Sequence, residues 1–177
     1  MPIVASDVRL KLSTAAGSAG NSLAGTVGAS LGKYVSTTEV TAAANSLFPD
    51  LSGAQNAGSQ VDYACVFLHN THSTLTLQGA RVYLAGEVSG GASIAVGVDT
   101  TAASAVGSSS VQAVTVASAT TAPAGVTFSS PTTAGAGISL GDIGPGQVRA
   151  FWVRRTAANT SPLAGDGVTL AWTGDTL

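Results

Sequence analysis

The segment Val61-Asp-Tyr-Ala-Cys-Val-Phe-Leu68 constrains this chain more than any other. At the two-residue period of a strand, Tyr63, Cys65 and Phe67 lie on one face and Ala64, Val66 and Leu68 on the other. Both faces are apolar, so the stretch reads as a central core strand. Other segments fit around it. Val8-Arg-Leu-Lys-Leu12 sets Val8, Leu10 and Leu12 against Arg9 and Lys11, the pattern of a half-buried, charge-protected strand near a sheet edge. Ala80–Ala85 turns Val82 and Leu84 inward and Arg81 and Tyr83 outward, and Ser93–Val98 repeats the alternation with Ile94, Val96 and Val98. Val111–Val116 is a weaker candidate, bordered by Ser and Ala runs.

The last third is the most legible. Ile138–Ile143 is a short strand, and Gly144-Pro-Gly146 is a turn, with Pro fixing φ and Gly free to take positive φ. Gln147–Arg155 is a long strand with Val148, Ala150 and Trp152 on one face and Arg149, Phe151 and Val153 on the other. Val168–Trp172 closes the chain with Val168, Leu170 and Trp172 inward. Trp152 and Trp172 are expected inward on neighbouring strands. About seven short strands with turn signals between them indicate an all-β fold, a single β-sandwich of immunoglobulin-like or jelly-roll-like type. The polar turn His69-Asn-Thr-His72 after the central strand, and a long strand paired with the last one, favour the immunoglobulin-like variant.

Three parts are expected: an N-terminal strand at 1–12, an extended excursion at 13–60 and a sandwich body at 61–177. The excursion is rich in Ala, Gly, Ser and Asn. A short helix is expected at 40–48, where Val40, Ala43, Ala44 and Leu47 fall at helical spacing. A segment so poor in large side chains cannot offset the backbone entropy of ordering, about 1–2 kcal/mol per residue, by packing on itself. It is therefore expected to dock on a partner, with Leu31, Tyr34, Val35, Leu47, Phe48 and Leu51 as anchors.

Composition narrows the function. Charged residues are 9% of the chain, against about 25% in ordinary domains. Two Glu and two Lys cannot furnish a coiled coil, and seven Lys+Arg against nine Asp+Glu give no basic field for nucleic acid. No run of about 18 apolar residues suggests a membrane span. The opening Met-Pro-Ile-Val-Ala-Ser-Asp lacks the pattern of a secretory signal, which fits a product assembled inside a cell. Cys65 is expected as a buried, inert thiol.

Catalytic signals are weak. Gly28-Ala-Ser30-Leu-Gly32 matches the G-x-S-x-G nucleophile elbow, but that motif needs a strand entering and a helix leaving, which this chain does not offer. His69 and His72 lack further ligands for a metal site and read as turn histidines. Glu39, Glu87 and the scattered Asp form no carboxylate pair. Asn159-Thr-Ser161 is a formal glycosylation sequon that reads as a loop. Arg154 and Arg155 point to opposite faces of their strand, which predicts separate ion pairs rather than a joint anion site. No enzyme activity, cofactor or metal is expected.

Several segments carry a resemblance: Ser6-Asp-Val-Arg-Leu-Lys-Leu-Ser13, Ser30-Leu-Gly32 with Ser36-Thr-Thr-Glu39, Asn45-Ser-Leu-Phe48, Asp50-Leu-Ser-Gly-Ala54, Tyr63–His72, and Leu140–Gly146 through Trp152-Val-Arg-Arg155. Together they resemble small Ala/Gly-rich virion structural proteins of tailed bacteriophages. The resemblance implies a structural protein located in the virion. A compact, weakly charged sandwich suits a shell lattice, so a capsid decoration or cement protein is expected, a homo-oligomer that binds the major capsid protein or other virion proteins. The charge balance and the lack of a long apolar run predict no nucleic-acid or membrane partner. A tail, baseplate or fibre accessory protein is the alternative, and a carbohydrate-binding sandwich a more distant one. Residues 99–135 carry none of the resemblance.

Overall fold

The computed structural model describes residues 2–161 and 165–176. The strands are β1 (Val8–Thr14), β2 (Gly32–Glu39), β3 (Val61–Asn70), β4 (Leu77–Glu87) and β5 (Ser93–Val98), then β6 (Ser104–Ala105), β7 (Ala113–Thr115), β8 (Ile138–Ile143), β9 (Gln147–Thr156) and β10 (Val168–Thr176). A single 3-10 turn (Ala5–Asp7) leads into β1, and a short α-helix, α1 (Gly53–Ala57), lies just before β3. The protein is all-β, and every strand pairing is antiparallel. The large sheet has the order β5-β9-β3-β1-β2-β7, with β6 also on β9, and the small sheet has the order β10-β4-β8.

β3 occupies the middle of the large sheet because both its faces are apolar. It pairs with β9 from Val61↔Thr156 to His69↔Val148, and with β1 from Val8↔Asn70 to Leu12↔Val66. Its even-numbered side chains, Ala64, Val66 and Leu68, join Leu12, Val96, Phe151 and Val153 against Leu77, Val82, Leu84, Leu140 and Ile143 of the small sheet. This is the inner core of the sandwich. The odd-numbered Cys65 and Phe67 join Val35, Val148, Ala150 and Trp152 in a second core on the opposite face.

That second face is sealed by residues 99–130, the stretch with least information in the sequence. They supply β6, β7, Val116 and the half-buried Val106, Val126 and Phe128. The cover is fastened by Asp99, which is almost fully buried. Its carboxylate accepts hydrogen bonds from Trp152 Nε1 at 2.7 Å, Val114 N at 3.0 Å and Thr101 N at 2.8 Å. Close approach of the cover also needs glycine. Gly32 sits at φ +89°, and a Cβ there would run into the Val114 carbonyl.

The turn Gly144-Pro145-Gly146 carries the chain from β8 in the small sheet to β9 in the large one. Buried Asn70 locks this corner. Its Nδ2 donates to the carbonyls of Leu75 at 2.8 Å and Ile143 at 2.9 Å, while Gly146 N donates to the Asn70 carbonyl.

Several sequence expectations are corrected. β1 is not near an edge: β2 pairs its outer side, and Arg9 meets Glu39 in an exposed ion pair at 3.8 Å. β9 does not pair with the last strand. The turn before it crosses between sheets, so β9 lies between β3 and β5 while β10 pairs with β4. Trp152 and Trp172 consequently face different cores, Trp152 beneath the cover and Trp172 half-buried over the inner core. Residues 40–48 form a loop rather than a helix. Val40 N still donates to Leu10 O as an extension of β2, Asn45 takes φ +57°, and Leu47 is drawn into the inner core. The helix forms instead at Gly53–Ala57, where Ser52 and Gln55 make a reciprocal capping box. The 13–60 excursion is likewise no single loop, because β2 lies within it as an interior strand of the large sheet.

Replacing Asp99 with Ala strands three N–H donors under the cover. Chemical denaturation should show a loss on the order of 3–5 kcal/mol, with Trp152 emission shifted to the red.

Candidate functional site

Each chemistry-bearing side chain can be followed to its place. Ser30, centre of the G-x-S-x-G match, is buried where β1 diverges from β3. Its Oγ accepts from Ser13 N at 2.8 Å, contacts Ser13 Oγ at 2.9 Å and donates to the Cys65 carbonyl at 2.6 Å. Ser13 Oγ accepts in turn from Gly32 N at 2.8 Å, and Cys65 N donates to the Ser30 carbonyl. The serine pair therefore replaces ladder bonds that β1 no longer makes. A nucleophile elbow would present this oxygen to solvent, and here it is a buried staple.

Cys65 lies beside that staple and is fully buried. Burial pushes its thiol well above the usual range, and the Asp99 carboxylate adds to the effect against a smaller opposing hydrogen bond from Ser13. A thiol held protonated is a poor nucleophile.

His69 and His72 diverge. His72 closes the turn after β3, its Nδ1 accepting from Thr74 N at 3.2 Å and Leu75 N at 3.0 Å. His69 is buried at the end of β3, and its Nδ1 has no partner among the described residues. Burial and the neighbouring Lys11 ammonium lower its pKa from 6.5 to about 4, which keeps the ring neutral at physiological pH.

The carboxylates are spread out as pins for backbone. Asp7 accepts from Val4 N, Glu87 from Ile94 N, Asp142 from Gly79 N and Asp166 from Ala92 N, all at 2.7–2.9 Å. Asn159 sits in an exposed loop at φ +52°.

Arg154 and Arg155 do point apart, but among the described residues only Arg155 forms an ion pair. Arg155 binds Asp62 at 2.7 Å, donates to the Pro49 carbonyl at 2.8 Å and covers the Phe48 ring at 4.7 Å. Arg154 instead lies over the Phe128 ring at 5.2 Å, and that ring meets Tyr63 with centroids 5.6 Å apart. The adjacent arginines thus clamp opposite layers, one the 45–50 loop and the other the outer cover.

Five of the six expected docking anchors are packed within the chain. Val35 is completely buried in the outer core, Tyr34 is buried with its hydroxyl on the Ser109 carbonyl at 3.1 Å, and Leu47 belongs to the inner core. Leu31 packs half-buried against the outer core, and Phe48 against the inner one beneath Arg155. Leu51 is half-buried beside Asp50 and Ser52 in a small surface hollow. The reason is β2. Once it joins the sheet, residues 20–25 bond back to it and to the cover, through Asn21 N to Val35 O, Thr37 N to Leu23 O and Gly20 N to Ser108 O.

What remains open is a cleft of about 500 Å³ that the sequence did not signal. Leu10 and Ile94 line it from the large sheet, Val168–Leu170 from β10 and residues 40–48 from the loop, with Arg155 and Asp166 also on its wall. Its lining comes from five segments separated in sequence, so no local motif announces it.

No family model matches the chain, and no curated protein or solved structure is detectably similar to it.

Two outcomes are expected at these positions. Ser30→Ala leaves Ser13 N and the Cys65 carbonyl unpaired and should cost about 1–3 kcal/mol in urea denaturation. For His69, the unfolded ring takes up its proton near pH 6.5 and the folded ring only near pH 4. Its contribution to stability is therefore complete above pH 6.5 and is lost as pH falls from 6.5 to 4. Stability curves of the wild type and His69→Gln should diverge over that window by on the order of 1–2 kcal/mol, the variant being flatter.

Proposed function

We propose that this chain is a non-catalytic structural component of a tailed-phage virion, acting as a capsid decoration or cement protein through protein–protein contacts. The observation that carries the reading is where the resembling segments fall. Ser6–Ser13 runs into and along β1, Ser30–Gly32 forms the serine staple, Tyr63–His72 is β3 with its turn, and Leu140–Gly146 with Trp152–Arg155 builds the sheet-crossing corner and β9. These are the parts that hold the body together, so the resemblance concerns a scaffold and not a reaction centre.

Further support comes from the use of reactive groups. Ser30, Cys65, Asp99 and Arg155 all serve packing and hydrogen bonding within the chain. A body with 9% charged residues also presents a surface of small polar and apolar groups, with little charge repulsion against close neighbours. That surface suits close contact within a shell.

Immunogold labelling of gradient-purified particles, with antibody raised against the full chain, tests the reading. Gold over the heads is the expected outcome. Gold confined to tails would move the protein to the tail or baseplate, and purified particles free of the chain would overturn the virion role.

A further inference from the structure

β10 has one partner and two edges. Its near edge pairs with β4, and among the described residues nothing bonds its far edge. Leu170 stands opposite Leu84, and Trp172 opposite Val82. Leu84 N donates to the Pro131 carbonyl at 2.8 Å, on the side of β4 away from β10. The Leu84–Leu170 pair is therefore the non-hydrogen-bonded kind, and the N–H and C=O of Leu170 turn outward. Two residues on, those of Trp172 do the same. The outer edge of β5, by contrast, is closed by a reciprocal bridge between Val96 and Ser129 at 2.8 and 2.9 Å, with Ser130 Oγ on the Ile94 carbonyl.

An unpaired edge of nine residues is a template for another strand. The surroundings select which strand. The 500 Å³ cleft is lined by β10 and by no residue of β4, which places it on the open side of β10. Leu10 of the large sheet and the 40–48 loop form the facing wall of the cleft there. A single extended chain needs only this cleft and the free edge. A second copy paired edge to edge at β10 would have to bring its own large sheet and loop against the same wall.

Charge narrows the occupant further. β10 carries no Lys or Arg; Asp175 lies near one end and Asp166 just before the other. Neither forms an ion pair among the described residues, while Arg155 on the cleft wall is already matched by Asp62. We propose that β10 accepts an extended strand with basic ends from a partner protein, adding it to the small sheet with alternate apolar side chains filling the cleft over Leu10. The inference stands apart from the virion reading, since it requires only a partner that offers such a segment.

Amide exchange by NMR on the full chain tests it, with the blocked peptide Lys-Thr-Val-Thr-Val-Thr-Val-Thr-Lys as probe. Saturating peptide should slow exchange at Leu170 and Trp172 about tenfold or more, with little change at Ala171 and Thr173, which already face β4. A version with Glu at both ends should bind about fivefold or more weakly at low salt, and one with a central Pro should give no protection. Three results would overturn the proposal: Leu170 and Trp172 already slow in the free chain, no protection with the Lys-ended peptide, or equal binding of the Glu-ended one. Protection that grows with protein concentration alone would also overturn it, by making a second copy the occupant. None of these outcomes changes where gold falls on particles, so the two readings fail separately.

Discussion

The bond from Trp152 Nε1 to the Asp99 carboxylate decides whether the large sheet can exist as built. β3 and β9 are apolar on both faces, so the sheet is stable only if both are covered. The small sheet covers one with Leu, Ile and Val side chains. The other cover, residues 99–130, is mostly Ala, Ser, Thr and Gly, whose burial yields little hydrophobic free energy at about 25 cal/mol per Å². A polar anchor makes up the difference. Burying a carboxylate is costly unless its oxygens are satisfied, and those of Asp99 receive three N–H bonds from the sheet and the cover itself. Arg149 adds contacts to the carbonyls of Asp99 and Thr101 on the same stretch.

The same economy explains what could be read in the sequence. Strands filled with large apolar residues, such as β3, β8, β9 and the first half of β10, announce themselves by alternation. β2 does not, because its buried positions Gly32, Tyr34, Val35 and Ser36 fall on both faces and mix small polar residues with apolar ones, which blurs a two-residue period. Its β-branched run Val35-Ser-Thr-Thr-Glu-Val40 was the signal available. Without the pairing of β2, Tyr34 and Val35 read as exposed anchors on a loop, whereas in the sheet both are buried. The corner at Gly144–Gly146 was legible as a turn but not as a change of sheet, because that depends on Asn70, more than 70 residues away in sequence. The helix expected at 40–48 lost to a tertiary contact: Leu47 gains more by entering the inner core than an isolated turn of helix could supply.

The candidate site was hidden for a related reason. Motif reading finds chemistry that is local, and the G-x-S-x-G match was local but buried as a staple between strands. The open cleft and the free edge of β10 are products of sheet sizes instead. A three-stranded sheet on a wider one must leave part of the inner face uncovered, and the 40–48 loop covers only some of it. Leu10, on β1, lies half-buried in that gap.

Arg154 and Arg155 show how few charges such a body needs. Placed consecutively on β9, they reach opposite faces, and each fastens one flanking layer by stacking on a single phenylalanine. Stacked guanidinium groups retain apolar contact as well as charge, so two residues replace a larger number of aliphatic contacts that a sequence of small residues cannot provide. Asp7, Glu87, Asp142 and Asp166 pin backbone N–H groups. With so few charges, most of them engaged within the chain, little is left with which to guard a sheet edge, where lysine or another exposed charge would normally discourage pairing. The unguarded edge of β10 is thus the counterpart of the economy that holds the cover in place.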